Sequence, residues 1–289
     1  MSSAKRNSIL CPNCNKLISK DEESCPYCGT ARPGSWLKNN PLVQGLFKED
    51  GLLKALLIVN VTLYVVSLAM SMMANPEYIK QMLSGGLFSL FAPGSGVLYM
   101  LGMSGVGPMA QGHWWSLLSA NYLHGSLLHI GFNMYALMQL GPLVLEEYGT
   151  HRFVTIYTVG GVAGFAASVY LHHTPFTLGA SASLCALIGA VLFFGHKRGG
   201  TYGKELFKQA GGWVLWLAIF GALSSGIDNW AHGGGLVGGI IIAALLGYKQ
   251  RVADKLYHKM LSAACVLATA GTLVWVLIYT LMALSKARS

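Results

Sequence analysis

Apolar residues in this chain are gathered into runs of membrane-spanning length. The runs lie at about 55–73, 116–140, 153–171, 181–195, 211–226, 231–248 and 260–284. A bilayer core about 30 Å thick takes roughly 20 helical residues, fewer where one end is sunk in protein, so the pattern predicts seven transmembrane helices. The runs starting at Ser181 and Gly211 are short. A helix that starts below the membrane surface is what an active site within the membrane requires. Between the first two runs, residues 75–115 contain an apolar stretch broken by Gly and Pro, at 86–103. A further span there would invert every later connection, so the pattern reads as a re-entrant or interfacial loop, with Trp114 and Trp115 as anchors at the interface.

Composition agrees with a polytopic helical protein. Of 289 residues, 53% are hydrophobic and 11% charged, and the mean hydropathy is +0.50. A soluble domain carries about 25% charged residues, so an ordinary soluble protein is excluded, as are a disordered chain, a collagen and a disulfide-rich scaffold. The net charge of +9 reports membrane orientation rather than nucleic-acid binding, because Lys and Arg gather in cytoplasmic connections. With the N-terminus inside, seventeen basic residues fall inside. Only Lys80, Lys286 and Arg288 fall outside. The expectation is a multi-pass protein of a bacterial inner membrane, N-terminus cytoplasmic and C-terminus outside.

Residues 1–54 form a polar region with four of the six cysteines. It lacks the pattern of a cleaved signal peptide and is expected to remain attached. Cys11-Pro12-Asn13-Cys14 and Cys25-Pro26-Tyr27-Cys28 make two CPxC knuckles ten residues apart. Four thiolates in this pairing suit tetrahedral Zn²⁺, which would organise a segment too poor in apolar residues to build a core. All four ligand positions are filled by protein, so the zinc is structural. A redox CxxC pair is the alternative, but no βαβ pattern surrounds it.

Polar residues within spans are costly and mark candidate functional sites. His124, His129 and Asn133 open the second span, with His129 and Asn133 on one helix face. Gly179-Ala180-Ser181-Ala182-Ser183 opens the fourth. Ala231-His232-Gly233-Gly234-Gly235 opens the sixth, where Gly235 and Gly239 share a face that admits a neighbouring helix. Each has a bland reading: core histidines, a serine helix cap, small packing residues. The charge-derived topology supplies a test, because it runs spans two, four and six from outside to inside and brings all three sites to one depth. A serine hydroxyl needs an imidazole to take its proton and return it to a leaving amine, and the oxyanion needs fixed donors. Asp228 is near in sequence but sits in a short outer loop, so the pattern reads as a dyad rather than a triad.

Together, HxxxxHxxxN in span two, GxSx at span four and AHxxGxxxG in span six resemble the rhomboid family of intramembrane serine proteases. The resemblance covers about residues 55–248. It implies a six-helix rhomboid core, here followed by a seventh C-terminal helix, cleaving membrane-anchored proteins in the lipid bilayer. It makes Ser181 the nucleophile and His232 the general base. His124, Asn133 and the Ser181 backbone N–H become oxyanion donors, and His129 supports the site. The chain has Ala182 where members commonly have glycine, Cys185 where they often have tyrosine, and Trp115-Ser116 for the usual Trp-Arg pair. Ser183 is a rival nucleophile.

The domain organisation expected is a four-cysteine zinc-ribbon-like head at 1–34, a linker at 35–54, the protease core at 55–248, and the seventh helix with its tail at 249–289. No cofactor takes part in the peptide-bond chemistry. Transmembrane protein substrates are the expected partners, with no nucleic acid and an unidentified partner for the head. A catalytically silent rhomboid-like protein that binds membrane clients is the alternative. A metal transporter is a second, disfavoured by the absence of acidic residues in the spans.

Overall fold

The computed structural model describes residues 7–36 apart from 13 and 15, and 49–286 apart from 76, 85, 87, 88, 225 and 250–253. Contacts divide the chain into two units, Met1–Ala55 and Leu56–Ser289.

In the first unit, β1 (Ser8–Leu10) pairs antiparallel with β2 (Leu17–Ser19), Ile9 opposite Ile18. The period of two along a strand turns Ile9 and Ile18 onto one face, where they pack with Cys11, Cys14 and Cys25. Leu10 and Leu17 face the other way and are exposed. The first knuckle is closed by the Cys11 N–H donating to the Lys16 carbonyl, the second by the Gly29 N–H donating to the Cys25 carbonyl. Gly29 takes φ +71°, a conformation that favours glycine.

The second unit is helical. Its long elements are α1 (Glu49–Ala74), α6 (Leu127–Leu171), α7 (Ser181–Arg198), α8 (Gly200–Leu223), α9 (Asn229–Leu246) and α10 (Leu256–Lys286). Helix α6 has 45 residues, about 68 Å of helix at 1.5 Å per residue, twice the bilayer core. It is two spans. Gly149 (φ 77°, ψ 167°) breaks the helical geometry between residues 127–148 and 150–171. His129 on the first limb and Ser168 on the second lie at the Ser181 end, whereas Tyr148 and Arg152 lie at the other, where Tyr148 donates to the Ala190 carbonyl. The limbs therefore run antiparallel. Among the described residues seven helical rods result, one for each of the seven runs, and five helices are long and apolar enough to cross a membrane.

Boundaries differ from the sequence pattern in three places. Helix α8 begins at Gly200, directly after α7 is ended by Gly199 and Gly200 at positive φ, so the run read as a short one from Gly211 lies in a helix of 24 residues. The run at 116–140 contains the one-turn α5 (Ser116–Ser119), a 3-10 turn (Ala120–Tyr122) and a break before α6. Ser126 causes that break: its hydroxyl accepts the His129 N–H at 3.2 Å and caps α6, so His124 precedes the helix. The connection at 75–115 folds into α2 (Tyr78–Ser84), α3 (Ser95–Met100) and α4 (Val106–Ala110). Trp114 is 70% exposed there.

Helix α7 is the central rod, buried without interruption from Ala182 to Val191. Small residues make that possible. A Cβ on Gly235 or Gly239 of α9 would fall inside the van der Waals envelope of the Ala182 or Ala186 carbonyl, and one on Gly189 of α7 would strike the Leu236 carbonyl. On the other flank Gly160 and Gly164 of α6 meet Ala186 and Ala182. The α6, α7 and α9 backbones thus approach more closely than larger side chains would permit. At the end away from Ser181, the fully buried Arg152 donates to the Tyr148 and Leu246 carbonyls and pairs with Asp254 at 2.5 Å.

Candidate active site

Residues 172–180 lead into α7 as an irregular strap. The Val106 N–H donates to the Thr174 carbonyl, Thr177 and Ser104 exchange backbone hydrogen bonds, and the Gly179 N–H donates to the Ala120 carbonyl. Gly179 takes φ +128°, and a Cβ there would reach within 2.8 Å of the His129 ring. A residue without a side chain lets the strap turn beneath His129 and deliver Ser181 to the first position of α7.

His232 occupies the first turn of α9, opposite Ser181 across the glycine contact. Its Nε2 lies 2.8 Å from the Ser181 hydroxyl. The chain separation is 51 residues, so the pairing is a product of helix packing. The other ring nitrogen, Nδ1, is buried and makes no hydrogen bond among the described residues. The short contact requires Nε2 to accept when the serine donates, which puts the ring proton on Nδ1.

The remaining candidates surround this pair unequally. His124 is fully buried. Its ring lies by the Tyr122 backbone, yet neither nitrogen makes a hydrogen bond of normal geometry among the described residues. His129 packs edge to face against His124, ring centroids 5.1 Å apart. Its Nδ1 accepts the Gly125 N–H at 3.3 Å, leaving Nε2 on the side of Gly179. The Asn133 amide donates to the His129 carbonyl in its own helix at 3.0 Å.

Ser183 lies elsewhere: it is fully buried and donates to Asn121 Oδ1 at 2.7 Å. Asn121 in turn donates to the Leu117 carbonyl, locking the 3-10 turn to α7. The Ala182 methyl faces Gly164, in a cluster with Ala120, Phe165 and Ala231. Cys185 is buried one turn further along α7. Sequence reasoning passed over Asn121 and Gly164. A polar residue ahead of His124 and a glycine spaced four residues from Gly160 were the available signals.

In the head, the four Sγ atoms lie within 4.8 Å of one another, with Cys11 and Cys28 at 3.6 Å and Cys14 and Cys25 at 3.7 Å. None is in a disulfide. A tetrahedron with metal–sulfur bonds of about 2.3 Å has edges of about 3.8 Å, so the thiols present the spacing that a tetrahedral ion requires. This cluster could bind a metal.

Residues 111–249 match the family model described as Rhomboid domain. Rhomboid protease GluP of Bacillus subtilis (strain 168) is 35% identical over 167 residues, 56% of this chain and 31% of that protein. RHOMBOID-like protein 9, chloroplastic, of Arabidopsis thaliana is 35% identical over 138 residues, 45% of this chain and 30% of that protein. Putative rhomboid protease YdcA of Bacillus subtilis (strain 168) is 27% identical over 143 residues, 49% of this chain and 72% of that protein. The chain thus spans less than a third of the first two relatives.

Proposed function

We propose that the chain, whose residues 111–249 match the rhomboid domain model and which resembles rhomboid proteases, is an intramembrane serine endopeptidase of that family whose dyad is Ser181 and His232. The observation that carries the reading is the 2.8 Å contact between the Ser181 hydroxyl and His232 Nε2. In the proposed reaction Ser181 Oγ attacks the scissile carbonyl while His232 Nε2 takes its proton, and the imidazolium returns that proton to the leaving amine. Water then hydrolyses the acyl-enzyme by the same exchange. The oxyanion is received by the Ser181 N–H, His124 and Asn133, with His129 fixing the strap and the His124 ring. His124, buried with its ring nitrogens unspent, is the better placed of the two side chains. Asn133 must turn its amide away from its own helix.

Substrates in this reading are transmembrane proteins cut near the outer membrane interface, with the N-terminus of the enzyme cytoplasmic and its C-terminus outside, in a bacterial inner membrane. A membrane helix hides its carbonyls in its own hydrogen bonds, so substrates carry residues such as Ala, Gly or Ser that let the outer end unwind. The head at 1–34 holds one structural zinc through Cys11, Cys14, Cys25 and Cys28, outside the chemistry. In this reading a linker at 35–54, of which residues 37–48 lie outside the described residues, is followed by the protease core at 55–248 and by the seventh helix with its tail at 249–289.

The test is incubation of the reconstituted chain with a membrane-anchored substrate, against its Ser181→Ala and His232→Ala variants. Cleavage is expected only with the native dyad. Cleavage by Ser181→Ala that is lost in Ser183→Ala would move the nucleophile to Ser183.

A further inference from the structure

Among the described residues nothing holds the His232 ring from behind, since Nδ1 is buried there without a hydrogen bond. The placement of Nε2 against Ser181 is therefore set by where the first turn of α9 sits. Asp228 governs that turn. Its Oδ1 accepts the N–H groups of Trp230 and Ala231 at 3.1 and 3.0 Å, and its backbone carbonyl accepts the His232 N–H at 3.1 Å. Its Oδ2 accepts from the fully buried Ser168 hydroxyl on the second limb of α6. The carboxylate is thus committed to the helix cap and to α6 rather than to the imidazole.

The same serine holds the strap that leads to the nucleophile. The hydroxyls of Ser168 and Thr174 are 2.7 Å apart, and the Thr174 N–H donates to the Ser168 carbonyl at 3.2 Å. The His172 ring, with Nδ1 3.1 Å from the Thr174 hydroxyl, stacks on Trp230 at a centroid distance of 5.5 Å. Both chain segments that bring the dyad together, the strap before Ser181 and the turn bearing His232, hang on Ser168.

We propose that Asp228, Ser168 and Thr174 form a polar brace that sets the register of His232 against Ser181, with Asp228 as a positioning residue acting through the helix cap. This rests on the dyad reading above. A misplacement of about 1 Å at reacting atoms costs on the order of 10²-fold in rate, so the brace acts on turnover rather than on substrate affinity.

The experiment compares the full chain in proteoliposomes with its Asp228→Ala, Asp228→Asn and Ser168→Ala variants. It reads kcat, KM, the rate of inactivation by a fluorophosphonate probe, and Tm. Asp228→Ala is expected to lower kcat by about 10- to 100-fold with KM little changed, and to slow probe inactivation by the same factor. Asp228→Asn keeps the Oδ1 acceptor and should restore most of the rate. Ser168→Ala leaves the cap intact and should lower kcat by about three- to tenfold, which keeps the test decisive if Asp228→Ala does not fold. An unchanged kcat in folded Asp228→Ala or in Ser168→Ala overturns the brace. So does an Asp228→Asn protein as slow as Asp228→Ala at native Tm, which would make the carboxylate's charge the cause. A wild-type chain that the probe never labels overturns the dyad itself, whereas equal labelling of wild type and variants overturns the brace alone.

Discussion

The two candidate sites hold their groups in place by opposite means. The head has a core of Ile9, Ile18 and the cysteines themselves, so the residues that would bind the metal are also the residues that would otherwise have to hold the fold. In the helical unit the candidate pair is brought together by the packing of other residues. Ser181 and His232 meet because Gly235 and Gly239 admit the carbonyls of Ala182 and Ala186. Where the core is thin, ligand binding is folding free energy. Where backbone packs on backbone, the site is a by-product of shape, and its weakest point is a missing methyl group rather than a missing ligand.

The strongest way to break this contrast is to fill the glycine contact. Gly239→Leu would drive a side chain into the Ala186 carbonyl and should part α7 from α9, abolishing cleavage and lowering stability by about 1–3 kcal/mol or more. The control is Gly271→Leu on α10, where a Cβ meets open space. Cleavage assays and thermal unfolding of both variants check it, and equal loss in the two would refute the packing account.

A smaller effect on the whole chain, confined to the head, is expected from Cys11→Ser with Cys14→Ser. The bound metal, about one ion per chain by the four-ligand count, should be lost and the head should become protease-sensitive, while cleavage persists. Acid should act as the mutation does. The Lys16 backbone N–H favours the Cys14 thiolate, but burial and the neighbouring thiols outweigh it and push this thiol above its ordinary range. The metal must displace that proton, so its apparent affinity should fall as pH is lowered from 8 to 5, read by competition with a chromophoric chelator. Affinity that rises as pH falls would exclude thiolate ligation.

Ala182→Gly should have the least effect. The Ala182 methyl lies against Gly164, so deleting it should leave kcat within about twofold and cost about 1 kcal/mol in helix propensity. A large gain in rate would place that methyl in the oxyanion space instead.

Much of this was legible in the sequence because bilayer thickness and cysteine spacing impose lengths that a reader can count. The seven apolar runs became seven rods, and the two knuckles brought their four sulfurs together. The spacing of Gly235 and Gly239 announced a close approach. What could not be read were features that rest on a single residue's conformation or on contacts distant in the chain. Ser126 moved the start of α6 past His124 by capping it. Ser168 resembled any small packing residue, and only its meeting with Asp228, 60 residues away, gives it a role. The outer-loop position of Asp228 argued against a triad, but proximity in sequence does not say which atoms a carboxylate will accept from, so its role as the cap of α9 was hidden.

The turn at Gly149 also bears on how the protein is built into a membrane. Only this residue leaves helical geometry between the two limbs of α6, and both limbs end on the buried Arg152 and its carbonyl partners. Two limbs joined so tightly make a helical hairpin, and its guanidinium is met in the folded chain by the Leu246 carbonyl of α9 and by Asp254. The Asp254 partner of Arg152 lies about a hundred residues further along the chain, so this rim of the hairpin is completed by a segment synthesised after both limbs.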